Sequence, residues 1–184
     1  MKGKDFDTKN APISFVDLEM TGLESMKHEI VEVGLVKVSQ PDLKIIETWE
    51  TKVKPEHLET ADPEALDISG YNPDGWKDAI TLKEMMVILS EKSKGSILAG
   101  FVPFADYAFL DAAVTQTGIP LDIHRRILDV NPYIVAKMRW VFGENGLSST
   151  SKKLDVKLEK HHTALADAMA TYEVYKKVSR ETPK

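Results

Sequence analysis

The element order of this chain predicts one α/β domain: a mixed sheet with antiparallel strands at one side and helices packed on it. Two observations carry that expectation. Three apolar, β-branched segments come first and are joined by short polar links. Strand-like apolar runs then alternate with segments of helical period. The length, 184 residues, suits one domain and is too short for two ordinary ones.

Residues 1–12 are polar and aperiodic, so a loose N-terminal arm is expected, leaving 13–184 as the domain. ISFVDLEM (13–20), HEIVEVGLVKVS (28–39) and LKIIETWETKV (43–53) read as strands because they are rich in Val, Ile, Phe and Trp. The links TGLESMK and SQPD are too short for crossovers, which favours antiparallel pairing. Pro55 to Trp76 reads as loop with short helical turns. TLKEMMVILSEK then puts Leu82, Met85, Met86 and Leu89 on one helical face, the pattern of a core contact. SILAGFV (96–102) reads as a buried strand. PFADYAFLDAAVTQTG (103–118) reads as a helix, with Pro103 suited to its first turn and Gly118 just past its end. RRILDV (125–130) is expected as a further strand, and PYIVAKMRWVFG (132–143) as a helix stopping near Gly143. SSTSKKLDVKLEKHH is Lys-rich and irregular or partly helical. TALADAMATYEVYKKVSRE (163–181) is a last long helix with Thr163 as N-cap.

Composition removes several function classes. The absence of cysteine excludes a disulfide framework, thiolate catalysis, zinc fingers and Cys-ligated iron–sulfur clusters. No apolar run approaches the ~20 residues of a membrane span, and MKGKDFDTKN lacks the apolar core of a signal peptide. A soluble, cytoplasmic protein is therefore expected. The net charge of −5 is not that of a strongly basic nucleic-acid binder, but it is unevenly spread. Residues 151–184 hold eight Lys and Arg against five Asp and Glu, so they are +3 and the remainder is −8. Acid concentrated in the body is either solvated surface or a cluster that holds cations.

Four carboxylates bear on that choice. In a strand, Asp17 and Glu19 share a face with Ile13 and Phe15, in an otherwise apolar segment. Two neighbouring acids repel each other, and a bound divalent cation turns that penalty into attraction. The alternative is a solvated strand end. Asp106 has Phe109, Leu110 and Ala113 as its helical neighbours, so it sits within the apolar stripe; Asp111 lies on another face. Asp167 is the one charged residue on the half of the last helix that carries Ala164, Leu165, Ala168, Thr171, Tyr172, Val174, Tyr175 and Val178. For Asp106 and Asp167 the alternative is a first-turn acid facing the helix dipole. All-oxygen ligands converging from three segments favour Mg²⁺ or Mn²⁺ over zinc. His162, five residues before Asp167 and close to Lys152, Lys153, Lys157 and Lys160, acts in this scheme from the loop before the helix. A histidine there is placed to take a proton from water, or it is a surface residue.

The order VDLEMTGL, GFVPFADYAFL, HHTALADA resembles the three motifs of the DEDDh 3′–5′ exonucleases. That family includes the proofreading exonuclease subunit of bacterial replicative polymerases, ribonuclease T and oligoribonuclease. The resemblance runs from about Ile13 to Val178. It implies a ribonuclease-H-like fold, with three antiparallel strands followed by parallel ones. It also implies hydrolysis of phosphodiester bonds from a 3′ end, releasing nucleoside 5′-monophosphates with two divalent cations, Mg²⁺ or Mn²⁺. It maps the metal-binding acids onto Asp17, Glu19, Asp106 and Asp167, and the general base onto His162. It places the terminal nucleotide beside Met20, Thr21, Gly22 and Leu23, where Met20 and Leu23 are either base contacts or core. Phe101-Val102 departs from the His-Asn of many relatives. The implied partner is a single-stranded nucleic acid 3′ end, DNA or RNA, with no membrane. A homodimer and a polymerase or repair partner both stay open. The competing functions are an inactive nucleic-acid-binding module of the same fold and a different two-metal phosphodiesterase such as an endonuclease.

Overall fold

The structure is a computed structural model that describes residues 6–141, 143, 145–158 and 163–180. Among these described residues five strands form one sheet: β1 (Ile13–Met20), β2 (Ile30–Val38), β3 (Ile45–Lys52), β4 (Ile97–Gly100) and β5 (Leu128–Asp129). Their spatial order is β3-β2-β1-β4-β5. β3, β2 and β1 pair antiparallel, whereas β4 and β5 are parallel additions beyond β1. This is the mixed sheet that the short links and later crossovers predict.

Among the described residues six α-helices flank it: α1 (Pro63–Ile68), α2 (Leu82–Ser93), α3 (Phe104–Thr117), α4 (Val130–Met138), α5 (Leu147–Lys153) and α6 (Ala164–Arg180). Alternation along β1 divides its side chains between two layers. Val16 and Leu18 pack with Met85, Met86 and Leu89 of α2 and with Phe109 and Leu110 of α3. Ile13 and Phe15 face the other way, onto Ile134 of α4 and Ala168, Tyr172 and Val178 of α6. Tyr172 is fully buried, and its hydroxyl donates to Leu43 O at 2.8 Å, so its polar tip is satisfied inside the core. Thr81 and Glu84 close a reciprocal capping box on α2, and Gly118, at φ 73°, ends α3 in the left-handed region.

Three expected boundaries move. The strand expected over 125–130 shrinks to Leu128–Asp129, because its partner β4 offers only Ala99 and Gly100 before ending. Asp129 turns from pairing to capping: its carboxylate accepts the Asn131 N–H at 3.1 Å and starts α4 at Val130. The strand expected to reach 102 stops at Gly100, where Val102 enters the left-handed region at φ 58°. The helix expected to run to Gly143 stops at Met138, because Arg139 takes a left-handed C-cap. In the N-terminal segment, Phe6 stacks on His124 at 4.7 Å, and Gln40 donates to Thr8 O and Ala11 O. Among the described residues no helix is long and apolar enough to cross a membrane.

One contact sets how closely α6 can lie on the sheet. A Cβ on Gly34 of β2 would fall 2.2 Å from Ala164 C and Leu165 N, so only glycine lets the first turn of α6 touch the strand. Gly34→Ala should therefore destabilise the fold by about 1–3 kcal/mol, read as a lower urea midpoint without a change in slope.

Candidate active site

The site forms where the central strand loses a neighbour. β2 follows β1 along its whole length, but β4 accompanies only Ile13–Phe15. Beyond Phe15, the Leu18 N–H finds its acceptor outside the sheet: it donates to Asp106 Oδ1 at 3.0 Å. Asp106 lies in the first turn of α3, where the helix dipole favours an acid, and it is 9% exposed. The hydrogen bond thus fastens the start of α3 to the open side of β1.

Asp17 and Glu19 project from β1 toward α6, continuing the face of Ile13 and Phe15. The pairing shifts register after Glu19, and the strand runs out into the loop at Met20. Asp167 comes from the first turn of α6, where its N–H bonds Thr163 O at 3.1 Å. One carboxylate oxygen each from Asp17, Glu19 and Asp167 lie within 4.8 Å of one another. Asp106 stands beside this trio, close enough that its charge acts on both Asp17 and Glu19.

Such crowding shifts the acids upward. Burial drives the Asp17 carboxyl well above the ordinary carboxylate range, and Asp106, Asp167, Glu19 and Glu32 add repulsion. Burial is again the first cause for Glu19, pushed up to about 8, followed by the charges of Asp167, Glu32 and Asp106. Asp106 is pushed up to about 6 by burial, against the pull of the Leu18 N–H. Carboxylate oxygens gathered this closely fit a hard divalent ion: its charge removes the repulsion, and oxygen is its preferred donor. Three of the acids read from sequence as candidate ligands, Asp17, Glu19 and Asp167, are therefore brought together, and Asp106 stands outside that group.

A fifth carboxylate belongs to the same face. Glu32 of β2 stands opposite Glu19 in the antiparallel register and is 5% exposed. Its Oε1 accepts the Ala164 N–H at 3.0 Å. Burial raises its pKa, and this hydrogen bond lowers it. The sequence held a signal: a charge inside the apolar run EIVEVG, the same anomaly that marks Asp17 and Glu19.

The loop after β1 divides the residues expected at the substrate. Thr21 is buried; its hydroxyl accepts the Glu29 N–H at 2.9 Å, and its carbonyl accepts the Asp62 N–H. Its side chain thus fastens the loop from inside. A Cβ on Gly22 would lie 2.4 Å from His28 Nδ1, so glycine is needed for close approach. Met20 packs against the α2–α3 core, whereas Leu23 is 83% exposed. His162 lies outside the described residues. The Phe101-Val102 departure leaves Val102 half-exposed, with its N–H on Asp129 Oδ1 at 3.2 Å. Two adjoining hollows flank the start of α6. One, of about 520 Å³, is lined by Glu32, Lys52, Trp76 and Thr163; the other, of about 860 Å³, by Lys157, Leu165 and Met169 as well as Thr163.

A sheet of this topology, with acids at the end of its first strand and on two helices, has the ribonuclease-H-like fold. The exonuclease family model, RNase T, matches residues 14–175. The chain belongs to this exonuclease family. Among curated proteins it is similar to the PolC-type DNA polymerase III of Caldanaerobacter subterraneus subsp. tengcongensis, with 28% identity over 88% of this chain. The same polymerase of Staphylococcus saprophyticus is 27% identical over 98% of the chain. The chain spans only 11% and 12% of those two proteins. Among solved structures, exonuclease I superposes with a TM-score of 0.81 at 15% identity, covering 94% of this chain and 42% of that one. The nuclease domain of 3′hExo, a DEDDh family member bound to rAMP, superposes with a TM-score of 0.78 at 18% identity, covering 96% of both chains.

The charge cluster has a pH signature. A carboxyl with a higher pKa in the folded than in the unfolded state binds its proton more tightly when folded. Its stabilisation is present at low pH and is lost as pH rises through the folded value. For Glu19 the window runs from the ordinary 4.5 to about 8. In EDTA the melting temperature should fall across this window, and Asp17→Asn should lessen the fall. A pH-independent melting curve over that range contradicts the crowding.

Proposed function

We propose that this chain removes nucleotides from the 3′ end of single-stranded DNA or RNA, releasing nucleoside 5′-monophosphates with two divalent cations, Mg²⁺ or Mn²⁺. The observation that carries this reading is the convergence of Asp17, Glu19 and Asp167 within 4.8 Å, with Asp106 alongside, on an exonuclease-family fold. Structural neighbours support the substrate class: exonuclease I of E. coli has been seen with a dT13 oligonucleotide, and the 3′hExo domain with rAMP. The likeness to PolC-type polymerases supports a polymerase or repair setting, in the cytoplasm.

In this reading Asp17, Glu19, Asp106 and Asp167 hold the cations. When bound, these supply an activated water and neutralise charge on the departing 3′ oxygen. The chain's own residues do the rest. The Leu18 N–H fixes the orientation of Asp106. His162 takes the proton of the attacking water. Leu23, exposed on the loop that follows the acids, offers an apolar face to the terminal base. Lys52 and Lys157, lining the hollows beside α6, attract the phosphates behind it.

A 3′-labelled oligonucleotide should lose mononucleotides in Mg²⁺ or Mn²⁺, and both EDTA and a blocked 3′ terminus should stop the reaction. Cleavage of the blocked strand would identify an endonuclease instead. Asp17→Ala and Asp167→Ala should each lower turnover by more than about 100-fold while the fold persists. His162→Ala should lower turnover and leave Mn²⁺ binding intact. Leu23→Ser should raise KM about fivefold, the equivalent of ~1 kcal/mol, with a smaller change in kcat.

A further inference from the structure

Glu32 has no place among the acids of the family motifs, yet it occupies the interior of the site. It is nearly fully buried on β2, on the same face as Gly34 and opposite Glu19. A buried carboxylate among other carboxylates is unfavourable unless something holds it. What holds it is the first residue of α6: the Ala164 N–H donates to Glu32 Oε1 at 3.0 Å, across 132 positions of sequence. The first N–H groups of a helix have no partner within the helix, and an acid facing them is favoured by the dipole.

Two fixings of α6 to β2 therefore lie side by side. At Gly34 the helix backbone rests against the strand. At Glu32 its first amide is bonded to the sheet. The register aligns these anchor points with the β1 acids, Gly34 with Asp17 and Glu32 with Glu19. Asp167 follows Ala164 by three residues, within the same first turn. Whatever fixes Ala164 therefore fixes where Asp167 meets Asp17 and Glu19. Glu32 is outside the group whose oxygens lie within 4.8 Å of one another among the described residues.

We propose that Glu32 is a positioning residue: it bonds the start of α6 to β2 and so sets the distance of Asp167 from Asp17 and Glu19, without itself holding the cation. The inference rests on the metal-site reading given above. It requires a hydrogen-bond acceptor at position 32 rather than a negative charge, which separates it from a ligand role. Glutamine keeps an acceptor oxygen at the same reach; alanine removes it.

The test is Mn²⁺ titration of the wild-type chain, Glu32→Gln and Glu32→Ala, followed by electron paramagnetic resonance of free Mn²⁺, with circular dichroism to verify folding. Glu32→Ala should weaken Mn²⁺ binding by about 10- to 100-fold, the usual effect of losing a group that orients a ligand. Glu32→Gln should stay within about threefold of wild type. Oligonucleotide cleavage should follow the same order in kcat, with KM little changed. If Glu32→Gln weakens binding by about 10-fold or more relative to wild type, the charge is what matters and the positioning role is overturned; this arm decides even if Glu32→Ala does not fold. Wild-type affinity in a folded Glu32→Ala also overturns it. If the wild-type chain itself binds no Mn²⁺, the metal reading fails, and this inference falls with it.

Discussion

Repulsion between carboxylates held together in a half-dry place is the constraint around which this molecule is arranged. Asp17 and Glu19 sit where Coulomb's law and desolvation both disfavour their charged forms, with Asp167 brought against them. Left to itself, such a cluster would push its members apart or take up protons. The surrounding packing prevents the first: two acids are fixed to the central strand and the others to helices bound tightly against it.

Each anchoring device solves a local problem of its own while serving the cluster. The Leu18 N–H would lack a sheet partner, and Asp106 supplies one. The first amide of α6 would be an orphan, and Glu32 accepts it. The strand must let a helix backbone approach, and Gly34 has no side chain to obstruct it. These contacts turn chemically awkward groups into structural fasteners, so the charged centre is supported by ordinary backbone satisfaction.

The candidate acids were legible in the sequence because strand alternation and helical period are local rules. Asp17 falls on the face of Phe15, and Asp106 on that of Phe109 and Leu110, whatever the rest of the chain does. Glu32 was not singled out, because its meaning depends on the cross-strand register that pairs it with Glu19 and on the remote amide of Ala164. Boundaries were less legible for a similar reason. Leu128 and Asp129 make a two-residue strand because β4 ends, and β4 ends because Val102 turns left-handed; neither event is visible in RRILDV. The inward turn of the Thr21 side chain is likewise not legible in the sequence, because its hydrogen bond to Glu29 is made by the fold of the loop. Arg139 ends α4 although the apolar pattern continues through Trp140 and Val141.

The early end of β4 has a larger meaning than a shortened strand. A sheet paired on both sides of β1 would act as a wall between its two helical layers, and no side chain of α3 could meet one of α6. Because β1 goes on past Phe15 with β2 on one side only, a window is left open at the strand's far end, and Asp106 reaches through it to the Leu18 N–H. The acidic centre is thus a rivet that passes through the sheet. Detaching either layer would dismantle it even with the strands still zipped, so competence for catalysis reports the integrity of the whole sandwich.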